Sequence, residues 1–277
     1  MSDPYLVYDK SNIQVKVFHV KGPLEGGNMK ETRELLHKEG YLFDPDSKSN
    51  PEYKIIKEIG LKKKFKIETI SNKNSSLKII SHEYLQGKQL VEIEYKGEIH
   101  NFKTSLVGKI QIKNILMAML AAKKSGLKFK QIIKIIDKVK PVSGRLEEIG
   151  IIKNNSKVIL DYAHTPDALQ TCLQNLKEQF KNKKISIVFG CGGNRDYYKR
   201  PIMGKIANFF CDRIYLTDDN PRSENPKKIR LAIKKKINKL KIYEISDRSK
   251  AIKKAIFDLK VGNILIVAGK GHENIQD

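Results

Sequence analysis

Two arginines in the second half of the chain, Arg195 and Arg222, have the clearest potential for ligand chemistry. A guanidinium group keeps its charge at physiological pH and binds a carboxylate through two parallel hydrogen bonds. Glu273, in a later polar segment, offers a carboxylate to an ammonium group. The three side chains together suit a small zwitterionic ligand. The simpler alternative for each arginine alone is a local ion pair, with Asp196 for the first and Glu224 for the second.

These residues belong to four polar segments, each of which follows a predicted strand: Asp161–Asp167, Gly190–Asp196, Thr217–Arg222 and Gly269–Glu273. In an open α/β sheet, ligands bind beyond the carboxyl ends of the strands, so four such segments predict a binding site. The glycines of the second segment either let backbone N–H groups approach an anion or simply turn the chain. Cys191 is predicted to be a packed side chain, because no evident activating base accompanies it.

Several residues of these segments have a structural alternative. Asp161 and Asp167 flank the start of a predicted helix, which either of them could cap. His164 is either a ligand residue or a histidine that satisfies its hydrogen bonds inside the fold. For Lys270 and His272, contact with a ligand and plain exposure to solvent both remain open.

The segments are positioned by alternating strands and helices that begin after Pro141. Such alternation predicts a mostly parallel sheet flanked by helices. The preceding part has short alternating strands, at Leu77–Tyr84, Gln89–Tyr95 and Glu98–Thr104, followed by helices over 110–125 and 130–139. We therefore expect an unassigned segment over 1–50, an α/β domain over 51–142 and a second α/β domain over 143–277.

Composition narrows the class of protein. The chain has 277 residues, a net charge of +23 and three cysteines without metal-ligand spacing, which favours a reduced protein with no structural metal. The excess charge suggests nucleic-acid binding as one alternative, but the basic residues are spread along the chain and not interleaved with aromatics. We expect no nucleic-acid partner and an electrostatic attraction for anionic substrates. Neither a signal peptide nor a membrane span is recognised, so we expect a cytoplasmic protein without a membrane partner.

Five motifs occur in an order and at a spacing typical of one enzyme family: Ser143–Glu147 (SGRLE), Asp161–Leu169 (DYAHTPDAL), Phe189–Arg200 (FGCGGNRDYYKR), Asp219–Arg222 (DNPR) and Gly269–Glu273 (GKGHE). Together they resemble the Mur ligases, and among them those that add diaminopimelate. The resemblance covers roughly residues 51–277 and is strong after about residue 108. It implies a Rossmann-like C-terminal domain preceded by part of an α/β central domain.

The resemblance also implies a reaction. ATP phosphorylates a glutamate carboxylate of UDP-N-acetylmuramoyl-L-alanyl-D-glutamate, and an amine of meso-diaminopimelate attacks the acyl phosphate, with Mg²⁺ screening the phosphates. The implied diaminopimelate-binding residues are Arg195, Asn220, Arg222, Gly269 and Glu273. The implied ATP-binding residues are Asn114, Arg145, Asp161 and His164. No catalytic residue and no metal ligand are assigned.

The sequence departs from the family at the phosphate-binding loop. Every Gly-Lys pair continues with Ile, Gln or Gly, so the family's Gly-Lys-Ser or Gly-Lys-Thr is not found. The uridine-binding domain, the magnesium-binding acid and the modified lysine are not recognised either, and Gln111 stands where the family more often has asparagine. Because the γ-phosphate would not be positioned, we expect an incomplete ligase that hydrolyses no ATP alone.

Two further interpretations remain open. The chain is either part of one longer ligase or a non-catalytic diaminopimelate-binding subunit that meets an N-terminal ligase half in trans. It could also belong to another Mur-type amide ligase, such as a folyl- or cyanophycin-type enzyme, although Asp219–Arg222 and Gly269–Glu273 speak against that reading.

Overall fold

A computed structural model describes residues 4–8, 15–19, 70–71, 75–124, 126–152 and 155–271. These residues fall into two compact units, one within Met1–Ser105 and Ile110–Val139, the other within Leu106–Lys109 and Lys140–Asp277. The three-part division expected from the sequence stays a prediction. The short segment Leu106–Lys109 belongs to the second unit although it precedes most of that unit in the chain.

The first unit contains two sheets. β1 (Pro4–Tyr8) and β2 (Val15–His19) pair antiparallel. A second sheet has the order β3 (Ile70–Ser71), β4 (Leu77–Leu85), β5 (Lys88–Tyr95) and β6 (Glu98–Thr104). The antiparallel pairing of β4, β5 and β6 confirms the strands expected from the alternating sequence. Every second side chain of β5 is buried, because successive side chains of a strand point to opposite faces.

The described part of the chain has two helices between β6 and the sheet of the second unit. They are α1 (Lys109–Lys124) and α2 (Phe129–Ile135), and α2 continues into a 3₁₀ turn over Ile136–Lys138. The ring of Phe129, at the start of α2, stacks on the ring of Tyr95 with centroids 4.5 Å apart. This contact packs α2 onto the second sheet.

The second unit has one six-stranded sheet. Its strands are β7 (Glu147–Ile152), β8 (Ser156–Asp161), β9 (Ile185–Phe189), β10 (Arg213–Leu216), β11 (Ile242–Glu244) and β12 (Ile264–Ala268), in the order β11-β10-β9-β12-β8-β7. All neighbours are parallel except β7, which pairs antiparallel with β8. The mostly parallel sheet expected from the sequence is confirmed. The antiparallel edge strand was not expected, because β7 has only partly buried side chains and an irregular register near Gly150.

Four helices cover the two faces of this sheet: α3 (Pro166–Gln179), α4 (Lys199–Phe210), α5 (Pro226–Lys234) and α6 (Arg248–Phe257). The chain moves from β8 through β9 and β10 to β11 in one direction and returns to β12. Right-handed crossovers therefore place the first three helices on one face and α6 on the other. The cores agree, since Leu173, Met203 and Ile233 share one buried cluster while Ala251 and Ala255 belong to the other.

Helix starts are fixed by side-chain caps close to the strand ends. The oxygens of Thr165, Asn225 and Asp247 accept hydrogen bonds from the first backbone N–H groups of α3, α5 and α6. These N–H groups have no partner within their own helix, so each cap stabilises the sharp turn from loop to helix. In the described part of the chain, no helix is long and apolar enough to cross a membrane.

Candidate functional site

The four polar segments of the sequence meet at one end of the six-stranded sheet. They follow β8, β9, β10 and β12, which are parallel neighbours in the order β10-β9-β12-β8. Their carboxyl ends therefore share one end of the sheet, where ligands bind in open α/β folds. The last segment is described only as far as Gly271, so the predicted ligand residue Glu273 and His272 lie outside the described residues.

Glycines bring the loop after β9 (residues 190–198) against the loop after β10 (residues 217–225). A Cβ at Gly193 would lie 1.9 Å from the carbonyl oxygen of Pro221, and a Cβ at Gly190 would lie 2.3 Å from that of Thr217. The Gly193 N–H donates to the Asn220 carbonyl at 2.8 Å. The geometry shows a third use of these glycines, the close approach of two loop backbones, and their approach to an anion stays a prediction.

The two predicted arginines pass the same glycine. A Cβ built on Gly192 would lie 3.1 Å from Nη1 of Arg222 and 3.9 Å from Cγ of Arg195. The Asn220 carbonyl oxygen is 3.5 Å from that point. Nη1 of Arg222 also donates to the Gly193 carbonyl at 3.0 Å. Arg195 is exposed and Arg222 half-buried, and both side chains pass the same small region of the loops.

A third loop reaches this region from β12. Gly269 has φ +110°, and a Cβ there would lie 3.0 Å from Oδ2 of Asp219 and 4.0 Å from the Gly190 carbonyl oxygen. The Gly269 N–H donates to the backbone carbonyl of Asp161 at 3.1 Å. The predicted ligand residue Gly269 is therefore next to both arginine-bearing loops.

The local ion pair considered for Arg222 is formed by another arginine. Glu224 accepts hydrogen bonds from Nη2 and Nη1 of Arg200, at 2.8 and 2.9 Å. Arg200 is only 1% exposed and is one of the largest fully buried side chains. The hydrogen bonds from Arg200 lower the pKa of Glu224, so this carboxylate stays charged. Asp196, the other candidate partner, accepts the Tyr198 N–H at 2.9 Å.

Asp161 fixes the backbone at two nearby residues, Leu146 and Ala163. Its Oδ1 accepts the Ala163 N–H and its Oδ2 accepts the Leu146 N–H, both at 2.8 Å. Leu146 has φ +46°, an unfavourable conformation for a residue with a Cβ, which this hydrogen bond helps to maintain. Asp161 is therefore not a helix cap. The cap of α3 is Thr165, while Asp167 lies in the first turn.

A positively charged surface surrounds the loop after β8. The Arg145 guanidinium lies 4.8 Å from the centroid of the Tyr162 ring, and Nζ of Lys199 donates to the His164 carbonyl at 2.9 Å. Nδ1 of His164 is 3.0 Å from the Tyr162 carbonyl oxygen. Desolvation lowers the pKa of His164, and the nearby cations Lys199 and Arg145 add to this against the hydrogen bond with Tyr162. A neutral imidazole between two cations suits an anionic ligand such as a nucleotide.

Asn114, the remaining predicted ATP residue, lies on α1 in the first unit. Its Nδ2 donates to Oε1 of Gln111 at 3.2 Å, so the glutamine that departs from the family pattern contacts it directly. The ATP role of Asn114 stays a prediction. Among the described residues, no group of three His, Cys, Asp or Glu side chains could hold a metal ion.

Cys191 is the second residue of the loop after β9, and its side chain is buried. Its thiol is buried and donates to Sδ of Met203 at 3.6 Å. Burial raises the pKa of the Cys191 thiol to about 12, so the thiol stays protonated. The prediction of a packed side chain is confirmed, and this cysteine is not a nucleophile.

Residues 144–271 match the family model for the Mur ligase glutamate ligase domain. These residues belong to the Mur ligase family. Its curated relatives include proteins of Rickettsia felis (48% identical over 177 residues) and Chelativorans sp. (40% over 232 residues), both named UDP-N-acetylmuramoyl-L-alanyl-D-glutamate–2,6-diaminopimelate ligase. These alignments cover 64% and 84% of this chain but 33% and 47% of the relatives, so this chain spans less than half of either relative.

Solved structures of two ligases have the same fold. A UDP-N-acetylmuramoyl-L-alanyl-D-glutamate–2,6-diaminopimelate ligase is 29% identical, with a TM-score of 0.63, over 92% of this chain and 54% of that structure. A folylpolyglutamate synthase of Mycobacterium tuberculosis has a TM-score of 0.64 at 16% identity, over 79% of this chain and 50% of that one. At that identity the second likeness concerns the fold alone.

Sequence reasoning missed two residues that organise the site. Arg200 is part of a motif but lies at the start of a helix, where an arginine usually faces solvent. Glu224 was considered only as a partner of Arg222. The two are 24 positions apart in sequence, and their pairing depends on β9 and β10 being neighbours. The sequence signal was the proximity of each residue to a motif, which did not identify its partner.

Proposed function

We propose that this chain supplies the amino-acid-binding part of an ATP-dependent ligase that adds meso-diaminopimelate to UDP-N-acetylmuramoyl-L-alanyl-D-glutamate. The observation that carries the proposal is the passage of Arg195 and Arg222 beside Gly192, next to the loop of Gly269. The names of the relatives support the choice of reaction. Since the chain spans less than half of those relatives, the complete reaction is assigned to a larger assembly of which this chain is a part.

The proposed ligand has an amino-acid group at each end. In this proposal Arg222, with Asn220, binds the distal carboxylate, and Arg195 binds another carboxylate of the ligand. Gly269 and Glu273 receive the distal ammonium group. L-Lysine lacks the distal carboxylate, so it leaves Arg222 without its partner. A site that loses such a hydrogen-bonding partner discriminates strongly against the shorter ligand.

We propose that the nucleotide binds at the same end of the sheet, next to the loop after β8. Arg145, Asp161 and His164 are proposed to form the nucleotide side in this unit, with Asp161 acting by holding Leu146. ATP and Mg²⁺ are expected for the complete ligase, where ATP supplies the activated acyl phosphate. The γ-phosphate loop is expected from an N-terminal ligase half, joined to this chain or supplied in trans. We further propose a cytoplasmic location, where ATP and UDP-linked substrates are available.

Calorimetry on this chain tests the amino-acid site. Wild type is expected to bind meso-diaminopimelate and to prefer it to L-lysine. Arg222→Ala is expected to lose about 2–5 kcal/mol of binding free energy, roughly 30-fold or more in Kd, because a charged hydrogen-bonding pair is broken. The matched control is Arg213→Ala, which removes an arginine from the start of β10 and should leave the affinity unchanged. Equal affinity of wild type for the two amino acids contradicts the proposal.

A further inference from the structure

Loops 190–198 and 217–225 are joined by an ion pair between Arg200, which is buried, and Glu224, which is half-buried. No predicted ligand residue takes part in it. Arg200 comes from the start of α4 and Glu224 from the end of the second loop. Two parallel hydrogen bonds of 2.8 and 2.9 Å connect the guanidinium to both carboxylate oxygens. This bidentate geometry fixes direction as well as distance between the two groups.

The ion pair also contacts the backbone of the first loop at two points. Nη2 of Arg200 donates to the Gly192 carbonyl at 3.3 Å. Oε1 of Glu224 accepts the Asn194 N–H at 2.5 Å. Gly192 and Asn194 are close to Arg195 in sequence, and Glu224 is two positions after Arg222. Each loop is therefore tied to the ion pair within three residues of its ligand-facing arginine.

Both loops have strained backbone at the same place. Asn194 has φ +52° and Arg222 has φ +48°, in the left-handed region that costs roughly 1–2 kcal/mol for residues other than glycine. Such conformations persist only where surrounding contacts hold them. Here Oδ1 of Asn194 accepts from Oγ and N–H of Ser223, at 3.0 and 3.3 Å, in addition to the contact with Glu224.

Stability alone does not explain this arrangement. The buried guanidinium of Arg200 loses its solvation, and well-packed apolar residues in place of a buried charge often give equal or greater stability. Arg200 also leaves its Nε buried without a hydrogen-bond partner among the described residues, an added cost. What the ion pair provides, and apolar packing would not, is a fixed direction for two loop segments.

We propose that the Arg200–Glu224 ion pair is a positioning element for the amino-acid site, which sets the spacing and orientation of Arg195 and Arg222. Neither residue of the pair contacts the amino acid. This inference rests on the proposed function, because it names what holds the proposed carboxylate-binding arginines. The preference for diaminopimelate over lysine then depends on the Arg200–Glu224 ion pair as well as on Arg195 and Arg222.

The test compares two carboxylate-to-amide variants. Glu224→Gln removes the charge between the loops, and Glu148→Gln removes the partner of Lys157, a 2.6 Å ion pair between β7 and β8 on the far side of the sheet. We expect Glu224→Gln to weaken meso-diaminopimelate binding at least tenfold and to reduce its preference over L-lysine. Glu148→Gln should keep both values. Glu224→Asp, which keeps the charge, should recover part of the preference and serves if Glu224→Gln does not fold.

Hydrogen exchange separates this inference from the proposed function. The Asn194 N–H should exchange faster in Glu224→Gln than in wild type, without any ligand, because its acceptor is weakened. Wild-type affinity and preference in Glu224→Gln would overturn the positioning role while the proposed function stands. Equal losses in both variants would also overturn it. Failure of the wild-type chain to bind meso-diaminopimelate, with the Asn194 exchange changed as expected, instead removes the proposed function.

Discussion

The two ends of the six-stranded sheet use polar side chains differently. At the amino end, they join the first residue of a strand to the connection that precedes a neighbouring strand. Oδ2 of Asp212 accepts the N–H of Ile185 at 3.0 Å, and Oγ of Ser156 donates to the Lys260 carbonyl at 2.8 Å. At the carboxyl end, polar groups connect loops to one another and arginines are presented at the surface. We therefore expect substitutions of polar residues at the amino end to change stability alone. Substitutions at the carboxyl end should change both stability and binding.

The largest expected effect is at the carboxyl end, for Gly193→Ala. The new Cβ would meet the backbone of Pro221 at 1.9 Å, so the two loops must separate. We expect a loss of about 3 kcal/mol in the free energy of unfolding, at the upper end for overpacking, together with loss of meso-diaminopimelate binding. Urea unfolding and calorimetry measure the two effects.

The neighbouring Gly192→Ala is the control for this prediction. Its tightest contact would be with the end of the flexible Arg222 side chain, at 3.1 Å, while the Asn220 carbonyl oxygen, at 3.5 Å, lies at an ordinary van der Waals distance. We expect a stability change within about 0.5 kcal/mol but weaker binding, because the guanidinium must move. Equal stability losses in the two variants would show that the loops do not approach as described.

A smaller effect is expected for Asp161→Asn, on the nucleotide side of the same end. The amide has one acceptor oxygen for two N–H donors, so the N–H of Leu146 or of Ala163 loses its partner. Leaving a buried donor unsatisfied costs about 2 kcal/mol. Thermal unfolding measures the loss, and hydrogen exchange at Leu146 and Ala163 identifies which bond breaks. Asp167→Asn, in the first turn of α3, should change stability by only about 0.5 kcal/mol. An unchanged Tm for Asp161→Asn contradicts the assigned role.

The smallest effect is expected at the amino end, for Asp258→Asn. Burial raises the pKa of Asp258, but hydrogen bonds from Lys254 and Tyr215, at 2.6 and 2.8 Å, outweigh it and the pKa is lowered. We expect a loss of about 1 kcal/mol at pH 7 and unchanged affinity for meso-diaminopimelate. A change in affinity would end the distinction between the two ends of the sheet.

The same variant gives a pH dependence with a definite sign. Because the folded pKa of Asp258 is below its unfolded value of about 3.9, its charge stabilises the protein above that pH. The stabilisation disappears as the pH falls through the folded value. The stability difference between wild type and variant should therefore be constant from about pH 7 to pH 5 and shrink below about pH 4. Urea unfolding at several pH values checks this, and a difference that grows toward low pH refutes it.

The sequence was sufficient for elements whose pattern is strong and local. β9 and β12 are mostly apolar and buried along their whole length, and the alternation of such strands with helices predicted the parallel sheet. β7 was missed because half of its residues are exposed and its pairing is irregular. The arginines were found because charged residues after a strand have few structural uses. Glu273, predicted by the same reasoning, lies outside the described residues and stays a prediction.

What the sequence did not contain was the identity of partners across loops. Glu224 has several arginines near it in the motifs, and only the packing of α4 against the loop after β10 selects Arg200. Asp161 was weighed as a helix cap or an ATP ligand, whereas its oxygens accept the N–H groups of Leu146 and Ala163. Such contacts depend on crossovers that bring distant segments together, so local residue spacing does not predict them.

The place of β12 has a consequence for synthesis on the ribosome. This strand follows the other five in the chain, yet it lies between β8 and β9. A nascent chain that has emerged only as far as β11 can therefore form β7 with β8 and β9 with β10 and β11, but these two pieces have no strand to join them. The edges of β8 and β9 that will pair with β12 expose unpaired backbone until residues 264–268 leave the exit tunnel. Assembly of the ligand-binding end is thus a late event, completed by one five-residue segment.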